Sequence, residues 1–90
     1  MELDIPSDVL SRELNGEAVL LDLRSGRYYG LNATGAVIWA GLLDGLDRDR
    51  IAERLVEAFE VEPAPALADT DAFVTMLLDA GLVSRQRSTV

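Results

Sequence analysis

Between Leu20 and Gly45 the spacing of apolar residues changes period with no linker to absorb the change. Leu20 to Leu23 is apolar and β-prone, Arg24-Ser25-Gly26 breaks it, and Arg27-Tyr28-Tyr29-Gly30-Leu31 resumes it. That is the pattern of a hairpin with a short glycine-containing turn. From Leu31 the period becomes helical, with Gly35, Ile38 and Leu42 at steps of four, three and four. Asn32 stands at the change, and its side-chain carbonyl predicts a cap for the free N–H groups of a helix start. A hairpin therefore runs straight into a helix.

Upstream, Val9 to Leu14 is a short β-prone run closed by Asn15-Gly16, a strong two-residue hairpin signal. Its partner is a strand at Glu17 to Leu23. Val19, Leu21 and Leu23 share one face there, Leu20 and Asp22 the other, and the first set is expected to face the core. With Arg27 to Leu31 as a third strand, two consecutive tight turns give an antiparallel meander whose third strand lies at an edge. Tyr28 and Tyr29 must point to opposite faces of that strand. Tyr29 shares its face with Leu31 and is expected to pack inward, leaving Tyr28 exposed.

Downstream, Trp39 joins Ile38 and Leu42 as a core residue of the first helix. Asp47 predicts the N-cap of a second helix in which Ile51, Leu55 and Phe59 recur every four residues. Arg50 and Arg54 beside Glu53 and Glu57 read as its solvated face. Val61-Glu62-Pro63-Ala64-Pro65 is expected to be an extended linker, because proline disfavours helix in the residue before it. A third helix should then run from Ala66 or Thr70 to Ala80 and stop at Gly81, with Asp69 and Asp71 as acids near its N-terminus. Phe73, Met76, Leu77 and Ala80 form its apolar stripe, and Val74 and Leu78 widen the stripe on one shoulder. Such a shoulder either packs against a second neighbour or, beside an edge strand, makes a groove for an extended peptide. Leu82 and Val83 are expected to pack back on the core, and residues 85–90 to form a flexible polar tail after a single domain at 1–84.

Strands followed by helices around one core is an α+β plan, winged helix-turn-helix-like: a three-stranded antiparallel meander followed by three helices. That plan often serves DNA, but sixteen acids stand against eight arginines for a net charge of -8. Arg48, Arg50 and Arg54 alternate with Asp47, Asp49, Glu53 and Glu57, so no basic face is expected for a phosphate backbone. The chain has no histidine and no cysteine, which removes the commonest general base, disulfides and thiolate metal sites. Glu53 and Glu57 read as an exposed acidic row rather than a catalytic pair, and Gly26, Gly30 and Gly35 lack the phosphate-binding spacing. No catalytic residue, metal site or cofactor is expected. Without a signal peptide or a long apolar run, a soluble, cytoplasmic protein with no membrane partner is expected.

Gly26-Arg27-Tyr28-Tyr29-Gly30-Leu31-Asn32, then Gly35, Ile38-Trp39 and Leu42-Leu43-Asp44-Gly45, resembles the signature of the PqqD-like proteins, the RiPP recognition elements, over about Val9 to Val83. The resemblance implies a non-catalytic module that binds the leader segment of a ribosomally made precursor peptide as an added strand on the third strand. Its peptide-binding residues would be Arg27, Tyr28, Tyr29, Gly30 and Leu31 on the edge, with Asp71, Val74, Thr75 and Leu78 as the wall on the third helix. A stand-alone chain of this size with the Gly-x-x-Ile-Trp helix is similar to the leader-binding proteins of lasso-peptide biosynthesis. The implied partners are the precursor leader peptide, a leader peptidase and an ATP-dependent macrolactam synthetase. The alternative within the resemblance is the pyrroloquinoline quinone branch, whose partner is a radical SAM enzyme. The alternative of another class is a winged-helix DNA-binding regulator, which the charge disfavours.

Overall fold

The structure, a computed structural model, describes residues 3–85. In chain order its elements are β1 (Leu3–Asp4), β2 (Val9–Leu14), β3 (Glu17–Asp22), β4 (Arg27–Leu31), α1 (Ala33–Leu43), α2 (Arg48–Phe59), α3 (Pro63–Asp79) and β5 (Ser84–Arg85). Asn15 and Gly16 both take positive φ, 53° and 80°, the backbone that a two-residue hairpin turn between right-twisted strands requires. This turn sets the β2–β3 register from Leu14 opposite Glu17 to Val9 opposite Asp22. β4 pairs with the other side of β3, so the sheet order is β2-β3-β4 and the expected third strand lies at an edge. The meander followed by three helices is the expected α+β fold.

The chain ends hold a further pairing that residue patterns did not reveal. β1 and β5 form a two-stranded antiparallel ladder, Leu3 opposite Arg85 and Asp4 opposite Ser84. Arg85 is thus paired rather than part of a tail, and residues 86–90 of the expected tail lie outside the described residues. Among the described residues no helix is long and apolar enough to cross a membrane.

Burial reverses the expected face of β3. Ala18, Leu20 and Asp22 turn inward, whereas Val19 is exposed and Leu23 lies beyond the strand, exposed in the turn. The register supplies the reason: Ala18 stands opposite Leu31 and Leu20 opposite Tyr29, and directly opposed residues share a face of the sheet. Leucines on both faces left strict alternation without a decisive polar side. The one polar residue, Asp22, goes inward because Arg24 satisfies its carboxylate, as described below. Leu10, Leu14, Val19 and Tyr28 remain as an exposed apolar outer face.

The helices begin where their caps are. Asn32 Oδ1 accepts from Gly35 N at 2.9 Å and Asp47 Oδ1 from Arg50 N at 3.0 Å. α1 carries both halves of the core: Trp39 packs with Leu20, Leu31, Leu77, Leu82 and Val83 beneath the sheet, while Ile38 packs with Ile51, Leu55 and Ala66 among the helices. Full burial of leucines such as Leu20, Leu77 and Leu82 contributes about 1.5–3 kcal/mol each.

The expected linker at residues 61–65 is shorter, because α3 already begins at Pro63. Pro63 and Pro65 fall in the first turn, where N–H groups have no intrahelical acceptor and a missing donor costs nothing. Asp69 and Asp71 consequently lie near the middle of α3, not at its N-terminus. Thr70 is fully buried, its hydroxyl donating to the Ala66 carbonyl at 2.8 Å within the helix.

Candidate functional site

β4 is bounded by β3 on one side, and among the described residues no strand pairs with its other side. Its side chains alternate as the residue types predicted: Tyr28 is 72% exposed on the outer face, while Tyr29 is half-buried against the core and Leu31 is buried. Arg27 and Gly30 are exposed. An unpartnered edge offers backbone N–H and C=O groups to an extended chain, and the absence of a side chain at Gly30 leaves that edge open.

Where β4 ends, the first turn of α1 faces α3 across a shallow cleft. Asn32, Thr34, Gly35 and Ile38 line one side, and Asp69, Ala72, Phe73 and Met76 the other. The cleft walls are apolar except at Asn32, Thr34 and Asp69. Met76 is 39% exposed there, although its spacing put it in the core stripe. Phe73 is half-buried, packing against both halves of the core.

The four residues expected as the α3 wall are not gathered along this cleft. Val74 is buried rather than shouldered, at 7% exposure, and Leu78 is half-buried against the core cluster beneath the sheet. Asp71 is turned toward α2, where Arg48 donates through Nε and through Nη2 at 2.5 and 2.7 Å. That guanidinium holds the Asp71 carboxyl below the usual carboxylate range. Thr75 is exposed, its hydroxyl donating to the Asp71 carbonyl at 2.9 Å. Asp69, Ala72, Phe73 and Met76 lie on the opposite flank of the helix. Spacing put Phe73 and Met76 in the core stripe, and only the excess width of the apolar arc hinted that part of it stays uncovered.

One electrostatic feature lies beside the β4 edge. The Asp22 carboxylate is buried beneath the β3–β4 turn and accepts from Arg24 N and Arg24 Nε, each at 3.0 Å. The side-chain bond from Arg24 lowers the Asp22 pKa, against the opposing effect of burial. Arg24 Nη2 also donates to the Gly81 carbonyl at 2.6 Å, joining the turn to the end of α3. The carboxylate was missed because alternation had assigned Asp22 to the solvent face.

Comparison with known proteins bears on what this edge and cleft serve. Residues 17–83 match the family described as coenzyme PQQ synthesis protein D (PqqD). No curated protein sequence matches the chain. Among solved structures, a lasso peptide synthetase B1 complexed with the leader peptide superposes with a TM-score of 0.83 at 36% identity, covering 92% of this chain and 98% of that one. TbiB1 in complex with the TbiA(beta) leader peptide superposes with a TM-score of 0.84 at 28% identity, covering 94% of this chain and 99% of that one. With the family match spanning the sheet from β3 onward and all three helices, the chain belongs to the PqqD family, the PqqD-like RiPP recognition elements.

Proposed function

We propose that this protein binds the leader segment of a ribosomally made precursor peptide as an antiparallel strand added to β4. The observation that carries the reading is an unpaired strand edge, Arg27–Leu31, that runs at its end into an apolar cleft between the start of α1 and α3. Kinship with two proteins solved with leader peptides supports it. Backbone pairing along Tyr28, Tyr29, Gly30 and Leu31 supplies affinity without regard to sequence, and alternate leader side chains entering the cleft supply selectivity. We assign the α3 wall chiefly to Phe73 and Met76. Val74, Asp71, Thr75 and Leu78 lie on the other flank, where Val74 is buried and Asp71 is held by Arg48.

The domain has no chemistry of its own in this reading: it presents the bound precursor to a leader peptidase and an ATP-dependent macrolactam synthetase. The test is amide hydrogen exchange with a synthetic lasso-precursor leader. Exchange at Tyr28 to Leu31 slows on adding the peptide. Protection arising on α2 instead, with β4 unchanged, refutes strand addition. The precursor's mass stays constant in the presence of this protein alone, and turnover by the isolated chain would restore an enzyme.

The PqqD family description favours one second reading, a leader-binding role in coenzyme PQQ synthesis with a radical SAM enzyme. Binding of a PQQ precursor in preference to a lasso leader would establish it. DNA binding, the remaining use of a winged-helix plan, predicts affinity falling steeply with salt, whereas pairing and apolar burial change little.

A further inference from the structure

The chain is tied to α3 or to the turn that ends it on either side of β4, just after the strand and just before it. At the α1 end Phe73 packs tightly on Gly35, where a Cβ would stand 3.0 Å from the ring. At the other end Arg24 crosses from the β3–β4 turn to the Gly81 carbonyl just past α3, a contact between residues 57 apart in sequence. Among the described residues no other side-chain hydrogen bond joins this hairpin to α3 or to the turn that ends it. Asp22, opposite Arg27 at the start of β4, grips Arg24 by its backbone N and its Nε. The guanidinium is thereby fixed by one partner while its Nη2 reaches the other.

We propose that the Asp22–Arg24 pair is a positioning device that sets the separation of α3 from β4 before any peptide arrives. The proposal rests on the reading that an extended peptide enters this cleft. A strand added to β4 must lie about 4.8 Å from it, with its inward side chains against α3, so only a narrow range of wall positions accepts it. If the wall wanders, the competent fraction falls and the apparent dissociation constant rises in inverse proportion. Arginine suits the task because its planar fork serves two acceptors at once, whereas a lysine ammonium acts as a single point. A merely structural ion pair would need only the charge opposite Asp22; a spacer needs the reach to Gly81 as well.

Arg24→Lys separates the two roles. The native chain has no cysteine, so nitroxides can be placed at Arg27→Cys and Asp79→Cys, both exposed, one at the start of β4 and one at the end of α3. Without peptide, the pulsed-EPR distance distribution is narrow with Arg24 and broadens in the Arg24→Lys background. In the unlabelled protein Arg24→Lys leaves the thermal midpoint near that of the parent, yet a fluorescein-labelled lasso leader binds about fivefold or more weakly, well below melting. Arg24→Gln, which also strips Asp22 of its partner, lowers both midpoint and affinity. An unchanged distance distribution in both variants overturns the proposal, as does parental affinity in Arg24→Lys. If the parent binds no leader, the functional reading fails, and the distance measurement still decides for or against the spacer.

Discussion

The two flanks of α3 are alike in apolar content and opposite in how they are covered. Toward α2, Leu67 packs into the helical half of the core and Asp71 is held by Arg48, while Val74 is buried nearby along the same side. Toward the start of α1, Ala72 and Met76 are exposed and Phe73 is half-buried against Gly35. One flank is closed by packing and an ion pair; the other lines an open cleft with the start of α1. The difference teaches that an apolar shoulder identifies a helix with two duties but not which side performs which.

One carboxylate placed on each flank breaks this comparison most sharply. Val74→Asp buries an unpaired charge and is expected to unfold the domain, since the penalty of several kcal/mol rivals the stability of a chain this small; circular dichroism reads it directly. Met76→Asp sits on the open flank and leaves the thermal midpoint nearly unchanged. It weakens leader binding by about tenfold or more, because the carboxylate is desolvated only when the peptide covers it. A Met76→Asp protein that binds normally would move the peptide off this flank.

Leucine truncations grade the same contrast more gently. Leu77→Ala removes a fully buried side chain and is expected to cost about 2–5 kcal/mol in urea unfolding. Leu78→Ala, half-buried beside it and off the cleft, should cost about 1 kcal/mol and leave leader affinity near that of the parent. A folded Leu78→Ala with clearly weakened leader affinity would bring Leu78 back to the peptide wall.

How much of this was legible before the structure depends on the range of the interaction that decides it. The Asn15-Gly16 turn, the Asn32 and Asp47 caps and the Tyr28–Tyr29 alternation are local, and each was readable from a few residues. The inward face of β3 was not, because it depends on pairing with Tyr29 and Leu31 across a turn and on a guanidinium that makes a buried Asp22 tolerable. α3 starting at Pro63 was hidden by a rule about prolines that lapses in a helix's first turn. Which flank of α3 faces the cleft is a tertiary fact: periodicity fixes angles around the helix axis, and only the placement of α1 and α2 says what stands at each angle. The β1–β5 ladder joins two-residue pieces from the two ends of the chain, too short for any pattern.

The Asp22–Arg24 contact, near the open flank, carries a pH signature. Asp22 has its pKa lowered in the folded state, chiefly by the Arg24 hydrogen bond. Its contribution to stability is therefore complete above the unfolded carboxylate pKa, about 3.9, and is lost as pH falls from there through the lower folded value. Denaturation midpoints measured from pH 6 down to pH 2 should fall less steeply in Asp22→Asn than in the parent, because the substituted amide has no proton to take up. Equal slopes would mean that the carboxylate is no better stabilised folded than unfolded.

The closed flank gives the smallest effect, and its smallness is the point. Asp71 too has a lowered pKa, caused first by the Arg48 hydrogen bond, but both side chains are about half exposed at 47% and 50%. Water and salt screen such a pair, and holding two side chains in one geometry costs entropy, so pairs of this kind add little. Arg48→Ala is expected to shift the thermal midpoint by only a few degrees at low salt, with the shift shrinking as salt is added. It should not alter leader affinity, because Arg48 and Asp71 lie on the side of α3 away from Phe73 and Met76. The family resemblance had implied Asp71 on the peptide wall, so Asp71→Ala beside Arg48→Ala is the finer instrument. Matching small stability losses with unchanged binding fit a helix-to-helix tie, whereas weaker binding in Asp71→Ala alone would return that carboxylate to the peptide site and extend the cleft around α3.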